Sequence, residues 1–132
     1  RVTGYSADMF SRPAALFEPI ALVQAADWLA AHGTAADVAL ASEPTAQLLA
    51  MRTPLRLYFG HQMETLYYEE KKQAVERFYR AQQPADWLTS QGIDWVILGP
   101  HEQAWSQSLP GLPDLQVAYQ DAQVTIYRVI AP

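Results

Sequence analysis

Cysteine and asparagine are both missing from this chain of 132 residues. The lack of cysteine excludes disulfides and thiolate metal ligands, and the lack of asparagine removes any acceptor for N-glycosylation. Long apolar runs are missing too, since none reaches the roughly 18 residues that a membrane-spanning helix needs. The residues themselves therefore predict no transmembrane segment.

Basic charge is scarce as well. The chain has 9 Lys and Arg against 14 Asp and Glu, which gives a net charge of −5. Such a chain has no electrostatic basis for non-specific binding to nucleic acid or anionic lipid. The 6 glycines form neither a G-x-G-x-x-G motif nor a P-loop, so nucleotide binding is not indicated, and no cofactor is predicted.

Apolar residues, by contrast, are plentiful, because 50% of the chain is hydrophobic. At this length, that composition predicts one globular domain with one core. Residues 1–17 are of mixed polarity and contain Gly4 and Pro13, so we expect an irregular N-terminal arm there. Residues 18–132 are expected to form a single α/β domain.

Helical and extended patterns alternate along that domain. Apolar residues at helical spacing predict a helix from Glu18 to His32, which Gly33 ends. The other predicted helices run from the cap residue Ser42 to about Arg52, over Glu64–Gln82 and over Pro84–Gln91. The predicted strands are Asp37–Ala41, Leu55–Phe59, Ile93–Leu98, Leu115–Tyr119 and Val124–Val129.

This order of elements predicts a three-layer, Rossmann-like α/β domain. The first three strands would form a short parallel sheet with helices on both faces, and the last two would form an antiparallel hairpin that extends one edge. Tyr67 falls on the apolar side of the predicted helix Glu64–Gln82, so we expect it in the core. Trp28, Trp87 and Trp95 are also predicted core residues.

Polar residues follow each of the three predicted parallel strands. In open α/β sheets, ligands bind beyond the carboxyl ends of such strands, so this edge is the predicted binding place. Three segments end there: Ser42-Glu43, Gly60-His61 and Gly99-Pro100-His101-Glu102. The candidate ligand-binding residues are Ser42, Glu43, Gly60, His61, Glu64, Thr65, His101 and Glu102.

Three interpretations of this set stay open. The imidazoles and carboxylates could bind a divalent metal, but no H-E-x-x-H spacing exists, so no metal is predicted. Hydrolysis would need Ser42 or Thr65 as nucleophile, but neither lies in a G-x-S-x-G elbow, so no catalytic residue is predicted. In a structural interpretation, Gly60 permits a tight turn, Thr65 caps the next helix and Glu64 interacts with its N-terminus.

Several short motifs, taken in order, resemble those of one class of membrane proteins. The motifs are Trp28-Leu29, Ala41-Ser42, Gly60-His61, Glu64-Thr65, Phe78-Tyr79, Gly92-Ile93-Asp94-Trp95-Val96, Gly99-Pro100, Glu102 and Tyr127-Arg128-Val129. Together they resemble the C-terminal soluble segment of bacterial polytopic proteins of the GT-C glycosyltransferase-like class, which are relatives of the protein mannosyltransferases. Departures from the pattern are Trp95, where Tyr is usual, and Gln62-Met63, where an aromatic residue often appears.

The resemblance implies an extracytoplasmic accessory domain with an interaction or substrate-guiding role. In that class the transfer chemistry depends on acidic residues of the membrane portion, so this domain would not be catalytic alone. The implied partners are the membrane portion of the same polypeptide, which tethers the domain, and a glycan or acceptor. A chain that begins at Arg1 instead of a methionine is also what we expect of a segment from a longer protein.

Two other functions stay open at this point. One is a free-standing small-molecule-binding or hydrolytic α/β domain, whose site at the strand C-termini would use Ser42, His61, Glu64, His101 and Glu102. The other is a structural or oligomerising domain, in which the terminal hairpin offers an edge strand for pairing.

Overall fold

The computed structural model of this chain describes residues 20–60, 67–106 and 114–130. Its helices are α1 (Ile20–His32), α2 (Glu43–Arg52), α3 (Tyr68–Tyr79) and α4 (Trp87–Ser90), with a 3-10 helix at Glu102–Ala104. Its strands are β1 (Val38–Leu40), β2 (Arg56–Leu57), β3 (Trp95–Leu98), β4 (Leu115–Gln120) and β5 (Thr125–Val129). The predicted N-terminal arm over residues 1–17 lies outside the described residues. Within the described ranges, no helix is long and apolar enough to cross a membrane.

The strands of the described residues form one five-stranded sheet in the order β2-β1-β3-β5-β4. Strand β1 pairs in parallel with both β2 and β3, whereas β5 is antiparallel to β3 and to β4. The predicted α/β class and the C-terminal hairpin are therefore confirmed, and the sheet is mixed. Strand β2 is shorter than the predicted Leu55–Phe59, because only Arg56 and Leu57 are in register with β1.

Two hydrophobic clusters form the core, and alternate residues of the strands belong to different clusters. Ala39, Trp95 and Ile97 lie in the cluster that also contains the buried side chains of α1, together with Leu48 and Leu49 of α2. Leu40 and Val96 lie in the cluster that contains the buried side chains of α3 and α4. This alternation follows from the two-residue period of a strand, whose successive side chains point to opposite faces.

The predicted core tryptophans lie in these clusters. Trp87 and Trp95 are buried, and Trp28 packs partly buried against the first cluster. The Trp95 indole N–H donates to Asp37 Oδ2 at 3.0 Å, and the Arg128 guanidinium lies 4.9 Å from the ring centroid. The hydrogen bond from Trp95 lowers the pKa of Asp37. A buried Trp thus keeps its polar atom satisfied at the sheet's amino end.

The prediction that Tyr67 lies in the core is wrong, because 64% of this residue is exposed. Helix α3 begins at Tyr68, and Tyr67 precedes it with a φ of 57°, in the left-handed region. A residue outside the helix does not follow the helical period, so its side chain is not aligned with Val75, Phe78 and Tyr79 on the buried face.

The C-terminus of α3 carries an alanine where glycine is usual. Ala81 has a φ of 62° and donates its N–H to the Phe78 carbonyl, while the Gln82 N–H bonds the Arg77 carbonyl at 2.8 Å. These two bonds define a Schellman motif with Ala81 in the left-handed position. An L-residue with a Cβ is strained there, whereas glycine is not.

We therefore expect Ala81→Gly to raise the free energy of unfolding by about 0.5–1 kcal/mol. The same motif ends α4 with Gly92, whose φ is 72°, and a Cβ there would meet nothing within 4 Å. Gly92→Ala should accordingly lower stability by about 1 kcal/mol through backbone strain alone. Urea unfolding measures both values.

The control for this pair is Ala50→Gly, which makes the same exchange at an exposed position inside α2. It should lower stability by about 1 kcal/mol, since glycine is unfavourable in a helix interior. A loss of stability in Ala81→Gly similar to that in Ala50→Gly would contradict the assignment of the Schellman motif.

Candidate functional site

The carboxyl ends of the three parallel strands lie at one edge of the sheet, because β1 is hydrogen-bonded between β2 and β3. The chain leaves these strands towards Ser42, Gly60 and Gly99, as the candidate site requires. We refer to this side of the sheet as the carboxyl edge.

Glu102 is the centre of a closed hydrogen-bond network at the carboxyl edge. Glu102 is fully buried, with 0% of its surface exposed. Oε2 accepts the Ser42 backbone N–H at 3.0 Å and the Ser42 hydroxyl at 2.5 Å. Oε1 accepts the Gly99 backbone N–H at 2.7 Å. One carboxylate thus joins the residues that follow β1 and β3.

Ser42 occupies the N-cap position of α2, as predicted, but its side chain does not cap the helix. The hydroxyl donates to Glu102 instead, and the Thr45 hydroxyl lies 3.4 Å from it. Ser42 is 2% exposed and Thr45 is fully buried. The backbone N–H and the hydroxyl of Ser42 therefore help to join the loop after β1 to the loop after β3.

Gly99 leaves room for this network. A Cβ at Gly99 would lie 3.3 Å from Glu102 Oε1 and 3.3 Å from Leu22 Cδ1, which is tighter than most real Cβ contacts. The absence of a side chain thus lets the Gly99 backbone approach the carboxylate while α1 packs against the same place.

Tyr79 of α3 lies beside this network and joins β1 to β3. Its hydroxyl donates to the Ile97 carbonyl at 2.6 Å and lies 3.3 Å from the Leu40 carbonyl. Burial raises the pKa of Tyr79 well above its usual value, and the nearby negative charge of Glu102 raises that pKa further. The phenol is therefore held in its neutral, donating form.

Glu43 lies at the partly exposed rim of the same edge. Its Oε1 accepts the Tyr68 hydroxyl at 2.8 Å, and this hydrogen bond raises the pKa of Tyr68. His101 is partly exposed and lies immediately before the 3-10 helix that carries Glu102. Gly60 is described and partly buried, whereas His61, Glu64 and Thr65 lie outside the described residues.

A groove of about 540 Å³ lies beside this network, between the start of α1 and the β4–β5 turn. Its lining residues are Ile20, Ala21, Gln24, Asp121, Ala122 and Gln123. The turn lies at the carboxyl edge, because Leu98 at the end of β3 pairs with Thr125. The groove therefore opens at the edge where a ligand was predicted.

The chemistry available at the network is limited by these contacts. Among the described residues, no buried side-chain polar atom lacks a hydrogen-bond partner, and no group of three or more His, Asp or Glu could hold a metal. The Ser42 hydroxyl faces a carboxylate whose oxygens already accept backbone N–H groups. The arrangement fixes two loops, and it offers no exposed nucleophile.

The structure brings together Ser42 and Glu102 from the candidate set, and it places Glu43 and His101 nearer the surface. Sequence analysis placed Gly99 at this edge without including it in the candidate set, and it missed Thr45 in the network and Tyr79 beside it. Tyr79 was assigned only to the apolar helix face, because its spacing gives no sign that its hydroxyl reaches a carbonyl on another element. Glycine after a strand was the one local signal at Gly99.

Comparison of the chain with family models, with curated proteins and with solved structures finds no match in any of the three.

Proposed function

We propose that this chain is an extracytoplasmic accessory domain of a membrane-bound glycosyltransferase-like protein, with an interaction or substrate-guiding role and no catalysis of its own. The observation that carries the proposal is the closed network at Glu102. Ser42, Gly99 and Glu102 all belong to the motifs of the resemblance, and both Ser42 and Gly99 donate hydrogen bonds to Glu102. A contribution to the stability of the domain is enough to account for these motif residues, and no catalytic role is needed.

A three-layer, Rossmann-like arrangement belongs to the proposal. Strand β2 lies on one side of β1 and β3 on the other, so the connections diverge at the carboxyl ends of β1 and β3. Helices on both faces are supported by the two core clusters, one with α1 and α2 and the other with α3 and α4. Many α/β domains bind a ligand at such a switch point. Here the buried carboxylate of Glu102 occupies it.

A free-standing hydrolytic domain is the weaker candidate. Its nucleophile would be Ser42, which is 2% exposed and donates to Glu102. A substrate carbonyl would have to displace Glu102 to come within reach of that hydroxyl. A general base also needs a free lone pair aimed at the nucleophile in the presence of substrate. The burial of both groups favours the accessory role.

Substrate guiding needs a surface that an acceptor or glycan can reach, and the groove beside the network supplies one. Gln24 and Gln123 are exposed, and each amide can both donate and accept hydrogen bonds. Asp121 is held in the turn by the backbone N–H groups of Gln123 and Val124, each at 2.8 Å. A fixed turn that carries Gln123, facing the exposed Gln24 amide of α1, suits neutral, hydroxyl-rich ligands.

The proposal is tested in two steps. The parent polypeptide should contain roughly eight or more apolar segments of about 20 residues. The 132-residue chain, incubated with a polyprenyl-phosphate sugar and acceptors, should transfer no sugar, whereas the parent should. In the parent, the pair Gln24→Ala and Gln123→Ala should raise the acceptor KM about fivefold with kcat nearly unchanged, because guiding contributes uniform binding.

The matched control replaces Gln47 and Gln73, which are also exposed glutamines but do not line the groove. Their replacement by alanine should leave the acceptor KM unchanged. A parent without spanning segments would overturn the assignment to a membrane protein. Sugar transfer by the chain alone would overturn the accessory role, and equal effects of the two glutamine pairs would overturn the role of the groove.

A further inference from the structure

Strand β4 forms one edge of the sheet. It pairs with β5 on one side, and no other described strand pairs with its opposite side. We call this outer side of Leu115–Gln120 the β4 edge. A strand in this position presents backbone N–H and C=O groups that can hydrogen-bond a strand of another chain.

The composition of β4 does little to prevent such pairing. Its residues LQVAYQ include no charged residue and no proline, which are the usual protection of natural edge strands. A register shift between Val117 and Tyr119 bends the strand locally and is the protective feature that it does show. The aspartates Asp114 and Asp121 lie just outside the strand.

Apolar side chains accompany the β4 edge on one face of the sheet. Val117 is 50% exposed and is paired with Tyr127, and Leu115 is paired with Val129. Leu115, Tyr127 and Val129 are only partly buried against the second core cluster. The helices α3 and α4 therefore cover this cluster only partly on the side towards β4.

We propose that the β4 edge pairs with the β4 edge of a second copy of this chain, antiparallel across a two-fold axis, so that the two sheets become continuous. Each copy carries a net charge of −5, so two copies repel each other least where the surface is uncharged. The six-residue strand is such a neutral surface. A two-fold contact also needs a patch that is complementary to itself, and two identical antiparallel strands meet that condition.

The size of this contact sets its strength. Stable interfaces bury about 800 Å² on each partner, which one strand edge and its flanking side chains do not supply. We therefore expect a reversible dimer with a Kd of about 10–100 µM. This inference is independent of the proposed accessory function, since it concerns the chain itself.

Sedimentation equilibrium of the 132-residue chain tests the inference between about 1 µM and about 1 mM, the range that contains such a Kd. Val117→Lys should weaken dimerisation at least about tenfold, because lysines on an edge strand oppose pairing and the two introduced charges would lie close together near the axis. Gln116→Lys, which replaces an exposed polar residue of the same strand, should act in the same direction.

The matched control is Met51→Lys, which introduces the same charge at a 79% exposed apolar residue of α2, away from the strand. It should leave the Kd unchanged. A chain that stays monomeric over the whole range would overturn the proposal, and so would a Val117→Lys or Gln116→Lys variant that dimerises like the original chain. Circular dichroism confirms that each variant is folded, and if Val117→Lys unfolds, Gln116→Lys decides.

Discussion

Glu102→Gln is expected to lower the free energy of unfolding by about 2–3 kcal/mol. The carboxylate of Glu102 accepts N–H groups on both of its oxygens, from Ser42 on one and from Gly99 on the other. A glutamine amide has one oxygen and one NH₂ group, so one backbone N–H would face another donor. A buried donor without an acceptor costs the full desolvation of that group. Urea unfolding at neutral pH measures the change.

The same substitution at Glu76 is the control for this prediction. Glu76 pairs with Arg80 on the surface of α3 at 2.9 Å, with both side chains more than 40% exposed. Loss of such an exposed pair should cost less than about 0.5 kcal/mol. Equal small effects at Glu76 and Glu102 would show that the network contributes no stability and would contradict the structural role.

Tyr79→Phe should make the free energy of unfolding less sensitive to alkaline pH. The folded-state pKa of Tyr79 is raised well above its usual value by burial and by Glu102, whereas in the unfolded chain it titrates near 10. The stability that this difference supplies is present below pH ~10 and is lost as pH rises further, because only the unfolded chain then ionises. Phenylalanine cannot ionise, so the variant should lose less stability between pH ~9 and ~11 than the original chain does.

At neutral pH the same variant should lose about 1–1.5 kcal/mol, since the Ile97 carbonyl loses a buried hydrogen bond of 2.6 Å. Tyr67→Phe is the control, because its side chain is exposed. It should change neither the neutral nor the alkaline stability. An alkaline profile of Tyr79→Phe that parallels the original chain would mean that Tyr79 titrates freely and is not held between the strands.

The fold could be predicted from the sequence where local patterns carry the information. Helix α1 follows from the spacing of Leu22, Ala25, Ala26 and Leu29, and all four are buried. The hairpin of β4 and β5 follows from two β-type runs with a polar turn between them. The position of Tyr67 could not be predicted, because its left-handed backbone depends on how the chain enters α3 rather than on helical spacing.

The sequence placed the candidate residues at the carboxyl ends of the parallel strands, but their contacts could not be predicted. The rule on strand carboxyl ends brings Ser42 and Glu102 to the same edge, and the structure hydrogen-bonds them across 60 residues of sequence. Nothing local shows that Glu102 points inward. Its burial depends on the backbone N–H groups of two separate loops, and on the space at Gly99. The Glu102 carboxylate, which the sequence suggests could bind a ligand, is therefore occupied by hydrogen bonds within the domain.

The claim that Ser42 and Glu102 hold the carboxyl edge together is tested most directly by a double-mutant cycle. The free energies of unfolding of Ser42→Ala, Glu102→Gln and the double variant are measured against the original chain. If the 2.5 Å hydrogen bond between these side chains stabilises the fold, the double variant should be less destabilised than the sum of the single changes by about 1–2 kcal/mol. A coupling energy near zero, with each single variant as stable as the original chain, would contradict this account.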